Sequence, residues 1–406
     1  MGSQSMRPES LAAPAHIAMF GGPLDWSEAW YSRHQLTAGL ARSHRVLLID
    51  PPRELRSALS APATMLAGPR LEREPVGTFR YAHPGWLPAV HRSPFLARTT
   101  ARLRAAAVIR QLGAAGKGGS IAYVWHPDHA DEVMPLGSLP FVYHAYDRYD
   151  LYTGAAAEDA RRRETWLARN AAFCVGASSM IVEHLRSLGA EDVRLLRHGV
   201  DPGFFDRDVA IPADLERLPR PRIGLVASLS DAVDYLGLTR IAQERPGWSL
   251  VIVGKQAFTD ERKRAQYDAL TKLPNVHAFG FRPQKEVPGW LKGFDAALIS
   301  YDLATWAPYN QPLKLYEYLA SGTPVVASRI QAAEELGELV ATVATEEAWI
   351  PAIEGVLSRD DGPARDGRRR FADENRWERR VATLDDWLAK RFGVPDGDAA
   401  SARRGG

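Results

Sequence analysis

The feature that most constrains the fold is an alternation of short apolar segments with helical segments, which runs along almost the whole chain. An apolar segment such as Arg45–Asp50 (RVLLID) is typical of a strand buried inside a sheet. Strands that alternate with helices form parallel sheets. Pro202–Pro221, which is rich in Pro, Asp and Arg, interrupts the alternation, and a second series begins at Arg222–Ala227. The sequence therefore predicts an α/β fold with two doubly wound domains.

The length of 406 residues agrees with two domains, because a domain commonly has about 100–200 residues. The residues after 393 are small and polar, which indicates a segment without a packed core. The expected units are a first Rossmann-like domain over 1–202, a linker over 203–221, a second Rossmann-like domain over 222–375, a C-terminal helix over 376–393 that packs back toward the first domain, and a disordered tail over 394–406.

Composition bounds the class of protein. A single cysteine, Cys174, excludes an intrachain disulfide framework and fits a reducing cytoplasm. No run of about 18 apolar residues predicts a membrane span, and residues 1–10 lack the apolar core of a signal peptide. Residues 1–120 contain 15 Lys+Arg and 7 Asp+Glu, so their net charge is +8, whereas the whole chain has a net charge of +2. A basic first third predicts an acidic partner surface for a cytoplasmic protein.

Residues 53–110 concentrate that positive charge, with ten Arg against three acids. Apolar pieces interleave with the arginines, among them Pro94-Phe95-Leu96, and Arg98, Arg102 and Arg104 follow in a helical stretch. Basic charge beside exposed apolar side chains suits an anionic lipid surface, here the inner face of the plasma membrane. The alternative is an ordinary solvated helix face over a core. Nucleic acid is not expected, because these residues form no known binding module.

Several candidates for ligand contact follow strands of the first series. Gly21 and Gly22 follow the first strand, but they do not form a GxGxxG fingerprint, so no nicotinamide cofactor is indicated. His126, His144 and Asp147 lie at the ends of two later strands. Because ligands of α/β proteins bind at the carboxyl ends of the strands, an acid and imidazoles there can act on an acceptor. The alternatives are a tight turn for the glycines and structural hydrogen bonding for the polar residues.

A helix is predicted within Pro308–Arg329 (PYNQPLKLYEYLASGTPVVASR), with Gly322 as its terminator and a buried strand after it. Lys314 and Glu317 lie three residues apart, so they share one face near the start of this helix. A cation and an acid there can hold a phosphorylated polyhydroxy ligand. The spacing alone is equally compatible with a surface ion pair.

Four segments carry a resemblance to a known family. These are HAYDRYD (His144–Asp150), RHGVDPGFF (Arg197–Phe205), HAFGFRPQKEVPGWLKGFDAALISY (His277–Tyr301) and PLKLYEYLASGTPVVAS (Pro312–Ser328). They resemble glycosyltransferases of the GT-B fold, in particular retaining enzymes of the family-4 type and the teichuronic-acid-biosynthesis-like branch. The resemblance implies two Rossmann-like domains that face a central cleft. It also implies transfer of a sugar from a nucleotide-diphosphate sugar to a polysaccharide or lipid-linked acceptor.

The resemblance also implies roles for single residues. Glu317 stands where the family has a glutamate that bonds the ribose hydroxyls, and Asn310 stands where a second acid faces the donor sugar. An amide at Asn310 can hydrogen-bond sugar hydroxyls but cannot carry charge. The remaining candidates for donor contact are Lys314, Lys255 after the Gly254 turn, Ser228, Ser230, Leu313, Tyr301 and Trp306. The expected catalytic groups are Asp147 and His144 on the acceptor side, with Gly21, Gly22 and His126 beside them, and Asn310 on the donor side.

Metal ions and cofactors are not expected beyond the nucleotide-sugar, whose base the sequence does not define. The sequence contains no Asp-x-Asp pair at a strand end and no His/Cys cluster with ligand spacing, and helix N-termini with Lys or Arg can neutralise a leaving diphosphate. Two alternatives remain open. Asn310 in place of an acid is compatible with a non-catalytic nucleotide- or sugar-binding module, and the architecture is also compatible with a nucleotide-sugar epimerase.

Overall fold

The computed structural model describes residues 16–21, 24–26, 30–51, 66–87, 94–112, 119–151, 155–205, 207–304, 309 and 311–393. They form two α/β domains, each built on its own largely parallel sheet. The predicted fold class is confirmed.

The first domain contains an eight-stranded sheet. Its strands are β1 (His16–Phe20), β2 (Arg45–Ile49), β3 (Arg70–Arg73), β4 (Phe79–Ala82), β5 (Ile121–Val124), β6 (Phe141–Ala145), β7 (Phe173–Gly176) and β8 (Val193–Leu195). The order is β3-β4-β2-β1-β5-β6-β7-β8, and every neighbouring pair is parallel except β3 with β4. The chain order reverses between β1 and β5, which is where a doubly wound sheet opens a crevice for ligands.

Helices cover both faces of this sheet. They are α1 (Ser32–Leu40), α2 (Pro94–Leu112), α3 (Ala130–Val133), α4 (Ala155–Asn170) and α5 (Ser179–Ser187). The start of α5 shows how the sequence sets an element boundary, because the Ser178 hydroxyl accepts a hydrogen bond from the Ile181 amide at 3.2 Å. Strand side chains alternate between two apolar clusters, one on each face of the sheet.

The second domain contains a six-stranded, fully parallel sheet in the order β13-β11-β9-β14-β15-β16. Its strands are β9 (Arg222–Val226), β11 (Ser249–Val253), β13 (Val276–Ala278), β14 (Ala296–Ile299), β15 (Val325–Ser328) and β16 (Val340–Val343). Two short strands, β10 (Leu229–Ser230) and β12 (Gln256–Ala257), pair in parallel beside it. Here the chain order reverses between β9 and β14.

Helices also cover both faces of the second sheet, and a further helix follows them in the chain. They are α6 (Pro202–Phe205), α7 (Ala213–Glu216), α8 (Tyr235–Glu244), α9 (Glu261–Leu270), α10 (Val287–Gly293), α11 (Lys314–Ser321), α12 (Gln331–Glu334), α13 (Trp349–Ser358), α14 (Gly362–Glu374) and α15 (Trp377–Phe392). The segment interpreted as a linker thus contains α6 and α7, and their Phe205 and Leu215 side chains are buried in the second domain's core.

The last helix, α15, lies against the first domain. Trp377, Leu384 and Leu388 are part of the apolar cluster formed by β1, β2 and α1. The buried imidazole of His44 pairs with Asp385 on α15. Helix α1 comes so close that a Cβ on Gly39 would lie 2.2 Å from a methyl group of Val381.

The segment 53–110 differs from its prediction. It contributes two strands, β3 and β4, to the edge of the first sheet, which the arginine-rich composition did not indicate. Arg104 is buried and donates to the backbone oxygen of Leu87, so it does not belong to the exposed basic surface. Among the described residues, no helix is long and apolar enough to cross a membrane.

Candidate functional site

The carboxyl ends of the two sheets meet in a cleft. The Trp30 amide of the first domain donates to the Gln284 side chain of the second at 3.1 Å. The guanidinium of Arg148, after β6, lies 5.5 Å from the ring centre of Tyr309, which belongs to the loop before α11. In each sheet, the point where the strand order reverses therefore faces this cleft, and α/β proteins bind ligands at such points.

Helix α11 forms the second domain's side of this cleft. It begins at Lys314 and ends at Gly322, whose φ of 79° suits a glycine and confirms the predicted terminator. The fully buried Tyr318 hydroxyl contacts both backbone groups of Val226, at 3.1 Å from the amide nitrogen and 2.9 Å from the oxygen. This double contact fixes the helix at the carboxyl end of β9.

Lys314 and Glu317 face the cleft from the first turn of α11, and both are partly exposed. Burial raises the pKa of Glu317 to about 7, and the nearby ammonium of Lys314 opposes the shift. Burial also lowers the pKa of Lys314 to about 8, and the Glu317 carboxylate opposes that shift. A poorly hydrated cation next to a carboxylate can exchange its interactions for those of a bound diphosphate and its ribose.

The side chain of Tyr301 lies beside Lys314. The Lys314 nitrogen lies 5.3 Å from the centre of its ring. The Tyr301 backbone is fixed on both sides by the Ser328 hydroxyl, at 2.8 Å from its nitrogen and 2.8 Å from its oxygen. Burial first, and then the negative charge of Asp147 in the first domain, raise the pKa of Tyr301. Asp147 is therefore close enough to influence the donor side electrostatically.

The other donor-side candidates lie in two loops that β10 and β12 hold together. Ser228 and Lys255 are exposed, and the Ser230 hydroxyl accepts from the Ala232 amide at 3.4 Å. Gly254 is required by a close approach, because a Cβ there would lie 1.7 Å from the backbone oxygen of Ala227. Leu313, just before α11, packs instead against the apolar cluster of the first domain.

On the first domain's side, Gly21 and His126 follow β1 and β5. Gly21 leaves room for Trp125, since a Cβ would lie 2.4 Å from that indole. Its backbone oxygen accepts a hydrogen bond from the Arg33 guanidinium. His126 is partly exposed, and its Nδ1 accepts from the Asp128 amide at 3.3 Å. The two candidates are thus adjacent at the point where the strand order reverses.

His144 is placed differently from its prediction. The imidazole is 0% exposed, its Nδ1 lies 2.8 Å from the Tyr123 hydroxyl, and its ring stacks on Tyr146 at 4.3 Å. Burial lowers the pKa of His144 well below its ordinary value. A side chain without exposed surface does not touch an acceptor in this conformation, so direct catalysis by His144 is not supported. It supports the ring of Tyr146.

Asp147 is partly exposed, and one of its carboxylate oxygens accepts from the Arg148 amide at 3.0 Å. The Arg148 guanidinium in turn donates to both oxygens of Asp150, at 2.8 and 2.9 Å. The loop after β6 is thereby fixed, and the charge of Asp147 acts on Tyr301 of the other domain. Gly22, Asn310 and Trp306 lie outside the described residues.

The structure brings together one group of possible metal ligands that the sequence spacing did not reveal. Ligand atoms of Asp150, Glu164 and His184 lie within 4.8 Å of one another. Glu164 already accepts from the Tyr143 hydroxyl at 2.9 Å and lies 3.0 Å from the His184 ring nitrogen. The Asp150 carboxylate already accepts hydrogen bonds from the Arg148 guanidinium. These oxygens are therefore satisfied inside the protein, and a bound cation would have to displace an arginine.

Comparison with known proteins relates part of the chain to a described family. Residues 220–359 match the family model described as "Glycosyl transferases group 1". Among curated proteins, TuaH of Bacillus subtilis (strain 168), a candidate teichuronic acid biosynthesis glycosyltransferase, is 28% identical over 160 residues. The alignment spans 38% of this chain and 39% of TuaH, well under half the length of that relative.

Solved structures resemble the chain over nearly its full length. Sucrose-phosphate synthase from Thermosynechococcus elongatus has a TM-score of 0.69 and 17% identity, over 94% of this chain and 100% of its own. HepE from Anabaena, solved with UDP and glucose, has a TM-score of 0.65 and 15% identity, over 94% and 100%. An alpha,alpha-trehalose-phosphate synthase (UDP-forming) from Burkholderia vietnamiensis has a TM-score of 0.66 and 11% identity, also over 94% and 100%.

The chain has the GT-B fold. At these identities the structural likeness establishes the fold, while the family match establishes the relationship of the second domain. The resemblance to GT-B glycosyltransferases that the sequence motifs indicated is confirmed.

Three residues connect elements of this GT-B cleft, although the sequence analysis did not identify them. Tyr318 anchors α11 to β9, Tyr146 stacks on His144, and His198 lies between the domains. Tyr146 and His198 fall inside the quoted segments HAYDRYD and RHGVDPGFF, so the motifs located them without indicating a role. For Tyr318, the sequence signal was its position directly after Glu317.

Proposed function

We propose that this protein is a glycosyltransferase that moves a sugar from a nucleoside-diphosphate sugar to a saccharide acceptor, free or carried by a lipid. One observation carries the proposal. Lys314 and Glu317 share the first turn of α11 and open into the GT-B cleft, and Asp147 of the other domain lies near the Tyr301 beside them. The site thus offers an acid and a cation for the donor, opposite an acid for the acceptor.

The comparisons support a nucleotide-sugar donor. HepE has been solved with UDP-glucose, and the trehalose-phosphate synthase from Burkholderia vietnamiensis is described as UDP-forming. We therefore choose uridine nucleotides as the first donors to test. The relationship to TuaH supports an acceptor from cell-envelope polysaccharide synthesis.

For the donor, we assign the two side chains of α11 complementary tasks. The ionised Glu317 carboxylate accepts hydrogen bonds from the two vicinal hydroxyls of the ribose. The Lys314 ammonium, together with the amides at the start of the helix, neutralises the diphosphate. Ser228 and Lys255 on the adjoining loops are exposed and available for further phosphate contacts.

In the reaction, the bond between the anomeric carbon and the diphosphate oxygen breaks, and the diphosphate leaves with the electron pair. The acceptor hydroxyl oxygen forms the new bond to that carbon on the face from which the diphosphate departs, so the configuration is retained, and the hydroxyl proton passes to Asp147. Closing the two domains excludes water that would hydrolyse the donor. Retention of configuration, transfer of a hexose and independence from metal ions are parts of the proposal that follow from the family resemblance.

A panel of nucleoside diphosphates and nucleotide-sugars tests the donor proposal by thermal shift and calorimetry. We expect one nucleotide to stabilise the protein, with affinity falling roughly 10- to 100-fold in Glu317→Ala, because a charged hydrogen-bonding group is removed. Glu338→Ala, on the exposed surface, is the matched control and should bind as the wild type does. The donor proposal fails if the wild-type protein binds no nucleotide.

Product analysis separates transfer from the alternatives. Mass spectrometry of a reaction with donor and an acceptor library should show a glycosylated acceptor and free nucleoside diphosphate. Binding without turnover would support the non-catalytic module that Asn310 suggests. A sugar altered on an intact nucleotide would instead identify an epimerase.

We also propose that the first domain binds anionic membranes through one face, which we call the basic apolar face and define as Leu71, Trp86, Phe95, Leu96, Leu103, Ile109, Arg98, Arg102 and Arg110. Seven of the eleven exposed large hydrophobic side chains among the described residues lie between positions 66 and 109. Phe95 is 76% and Trp86 60% exposed. Helix α2 contains four arginines and no acid. A surface that combines exposed apolar side chains with positive charges is complementary to an anionic lipid surface.

Vesicle sedimentation tests this face. The wild type should sediment with vesicles of anionic phospholipid at low salt and much less with neutral ones. Phe95→Ser with Leu96→Ser should abolish binding, whereas Leu236→Ser with Phe281→Ser, exposed side chains of the second domain, should leave it unchanged. Equal binding by both double variants would exclude the basic apolar face as the membrane contact, and no binding by the wild type would exclude the membrane as the partner and leave a protein surface.

A further inference from the structure

His198 lies where the two domains meet. Its side chain is buried, with 7% of the residue exposed, although it belongs to neither candidate half-site. One ring nitrogen, Nε2, lies 3.0 Å from the backbone oxygen of Gln311 in the loop that leads into α11. The other, Nδ1, lies 2.8 Å from the hydroxyl of Ser32 in the first turn of α1. The imidazole thus bridges the acceptor-side helix and the donor-side loop.

These partners define the tautomer. A backbone carbonyl only accepts, so Nε2 carries the proton and donates it to Gln311. Nδ1 is then unprotonated and accepts a hydrogen bond from the Ser32 hydroxyl. Burial lowers the pKa of His198 to about 4, and the charge of Arg380 acts in the same direction, which keeps the ring neutral. Both nitrogens are therefore used inside the protein, and neither is free to bind substrate.

The faces of the ring are also in contact. The ring of Tyr146, at the end of β6, lies parallel to it at 5.7 Å and 2°. The ring of Tyr316 on α11 meets it edge-on at 6.3 Å and 90°. Tyr316 stands between Lys314 and Glu317 in the sequence, so the imidazole touches the same turn that presents the donor-side pair.

The backbone around His198 has little freedom to move. Its carbonyl oxygen accepts from the Arg380 side chain at 3.1 Å, and the next residue, Gly199, would place a Cβ 2.8 Å from the Trp377 ring. Val200 then pairs with the segment before α15 through its amide at 2.9 Å and its oxygen at 3.1 Å. The backbone around His198 is thus held by α15 and the segment before it, while the imidazole contacts Gln311 in the loop that leads into α11.

We propose that His198 is a positioning residue that fixes the start of α11, and with it Lys314 and Glu317, relative to the acceptor edge of the first domain. The inference rests on the proposed function for its kinetic consequence, but the bridge itself can be tested without catalysis. Removal of the Nε2–H donor frees the Gln311 carbonyl, loosens the entry to α11 and weakens donor binding more than it weakens the fold.

Three variants separate the bridge from simple packing. His198→Phe keeps a flat ring against Tyr146 but loses both hydrogen bonds. His198→Gln keeps an N–H donor that can reach Gln311, and Ser32→Ala removes only the partner of Nδ1. His83→Phe is the control, because His83 is another buried imidazole with a pKa lowered to about 4, and it lies at the end of β4.

Hydrogen exchange reads the bridge directly. We expect the amides of α11 to exchange at least about tenfold faster in His198→Phe than in the wild type, and His198→Gln and His83→Phe to show no such change. Nitrogen-15 spectra of the wild type should show the His198 signals of a neutral ring protonated at Nε2. Unchanged exchange in His198→Phe, or a ring protonated at Nδ1, would overturn the proposal.

Donor kinetics provide the functional readout. His198→Phe should raise the donor KM about tenfold, Ser32→Ala two- to fivefold, and His198→Gln less than threefold, with Tm changed by no more than about 3 °C in each. A donor KM within twofold of the wild type in His198→Phe, or equal losses in His198→Gln and His198→Phe, would contradict positioning. If the wild type binds no nucleotide, the proposed function fails, and hydrogen exchange and the tautomer still decide the bridge.

Discussion

The two domains share one framework but present their cleft edges differently. The second domain has six parallel strands, and its candidate side chains come from one helix start and two short loops. The first has eight strands with an antiparallel edge pair, and its cleft edge is a stack of rings, with Trp125, Tyr146 and His198 in contact. The group 1 glycosyltransferase match covers residues 220–359, which are almost entirely in the second domain.

Under the proposed function, the difference reflects what each half recognises. A nucleotide presents the same diphosphate and ribose in every donor, so a helix start with one cation and one acid suffices. An acceptor edge is built from side chains at the ends of several strands, which can change without altering the fold. We therefore expect substitution of Lys314 or Glu317 to affect donor binding and substitution of Asp147 to affect turnover.

The largest effect should come from the turn glycines. Gly254→Ala should lower the free energy of unfolding of the second domain by more than about 3 kcal/mol, because its Cβ would meet a backbone oxygen. Gly21→Ala should cost about 1–3 kcal/mol, since its Cβ would meet the Trp125 side chain, which can shift. Denaturant unfolding measures both. Gly247→Ala, with no atom within 4 Å of the added methyl, is the control, and equal stability of all three would contradict the close approach.

Next in size is the contrast between Asp147 and Glu317. Asp147→Asn should lower kcat about 100-fold with donor affinity within twofold, because it removes the proton acceptor and leaves the nucleotide contacts intact. Glu317→Gln should instead raise the donor Kd about tenfold or more. Steady-state kinetics with calorimetry separates the two. The division of labour between the domains is wrong if Asp147→Asn weakens nucleotide binding as much as Glu317→Gln does.

The pH dependence of nucleotide affinity should be a narrow bell. Below about pH 7 the Glu317 carboxyl becomes protonated and no longer accepts both ribose hydroxyls, so affinity falls as pH decreases. Above about pH 8 the Lys314 ammonium loses its proton, so affinity falls as pH increases. Calorimetry from pH 5.5 to 9.5 measures the profile. Glu317→Gln should remove the acidic limb and Lys314→Arg the basic one, whereas a flat wild-type profile would rule out both assignments.

The smallest effect concerns the helix that joins the domains. Asp385→Asn should destabilise the first domain by about 1–2 kcal/mol, because the buried His44 imidazole loses a charged partner. Asp386→Asn, at the next position, removes only an exposed i,i+4 pair with Lys390 and should change stability by less than about 0.5 kcal/mol. Thermal unfolding compares the two. Equal Tm values would mean that the pair between His44 and Asp385 adds no stability.

Sequence patterns located much of the fold and part of the site. Apolar runs such as Arg45–Asp50 predicted strands where β2 and its counterparts occur, because a strand buried on both faces is recognisably apolar. The edge strands β3 and β4 escaped this reasoning, since Arg70–Arg73 is exposed along its whole length and has no apolar signature. Burial of Arg104 was equally invisible, because a helical arginine gives no local sign of which face it occupies.

The amino-acid sequence is enough to predict the alternation of strands and helices, the GT-B resemblance, and the shared face of Lys314 and Glu317 on α11. These follow from local spacing along the chain. The folded structure is needed to show that His144 is buried against Tyr146, that the charge of Asp147 acts on Tyr301 of the other domain, and that His198 bridges Ser32 and Gln311. Those facts depend on contacts between residues as many as 166 positions apart, which no short pattern encodes.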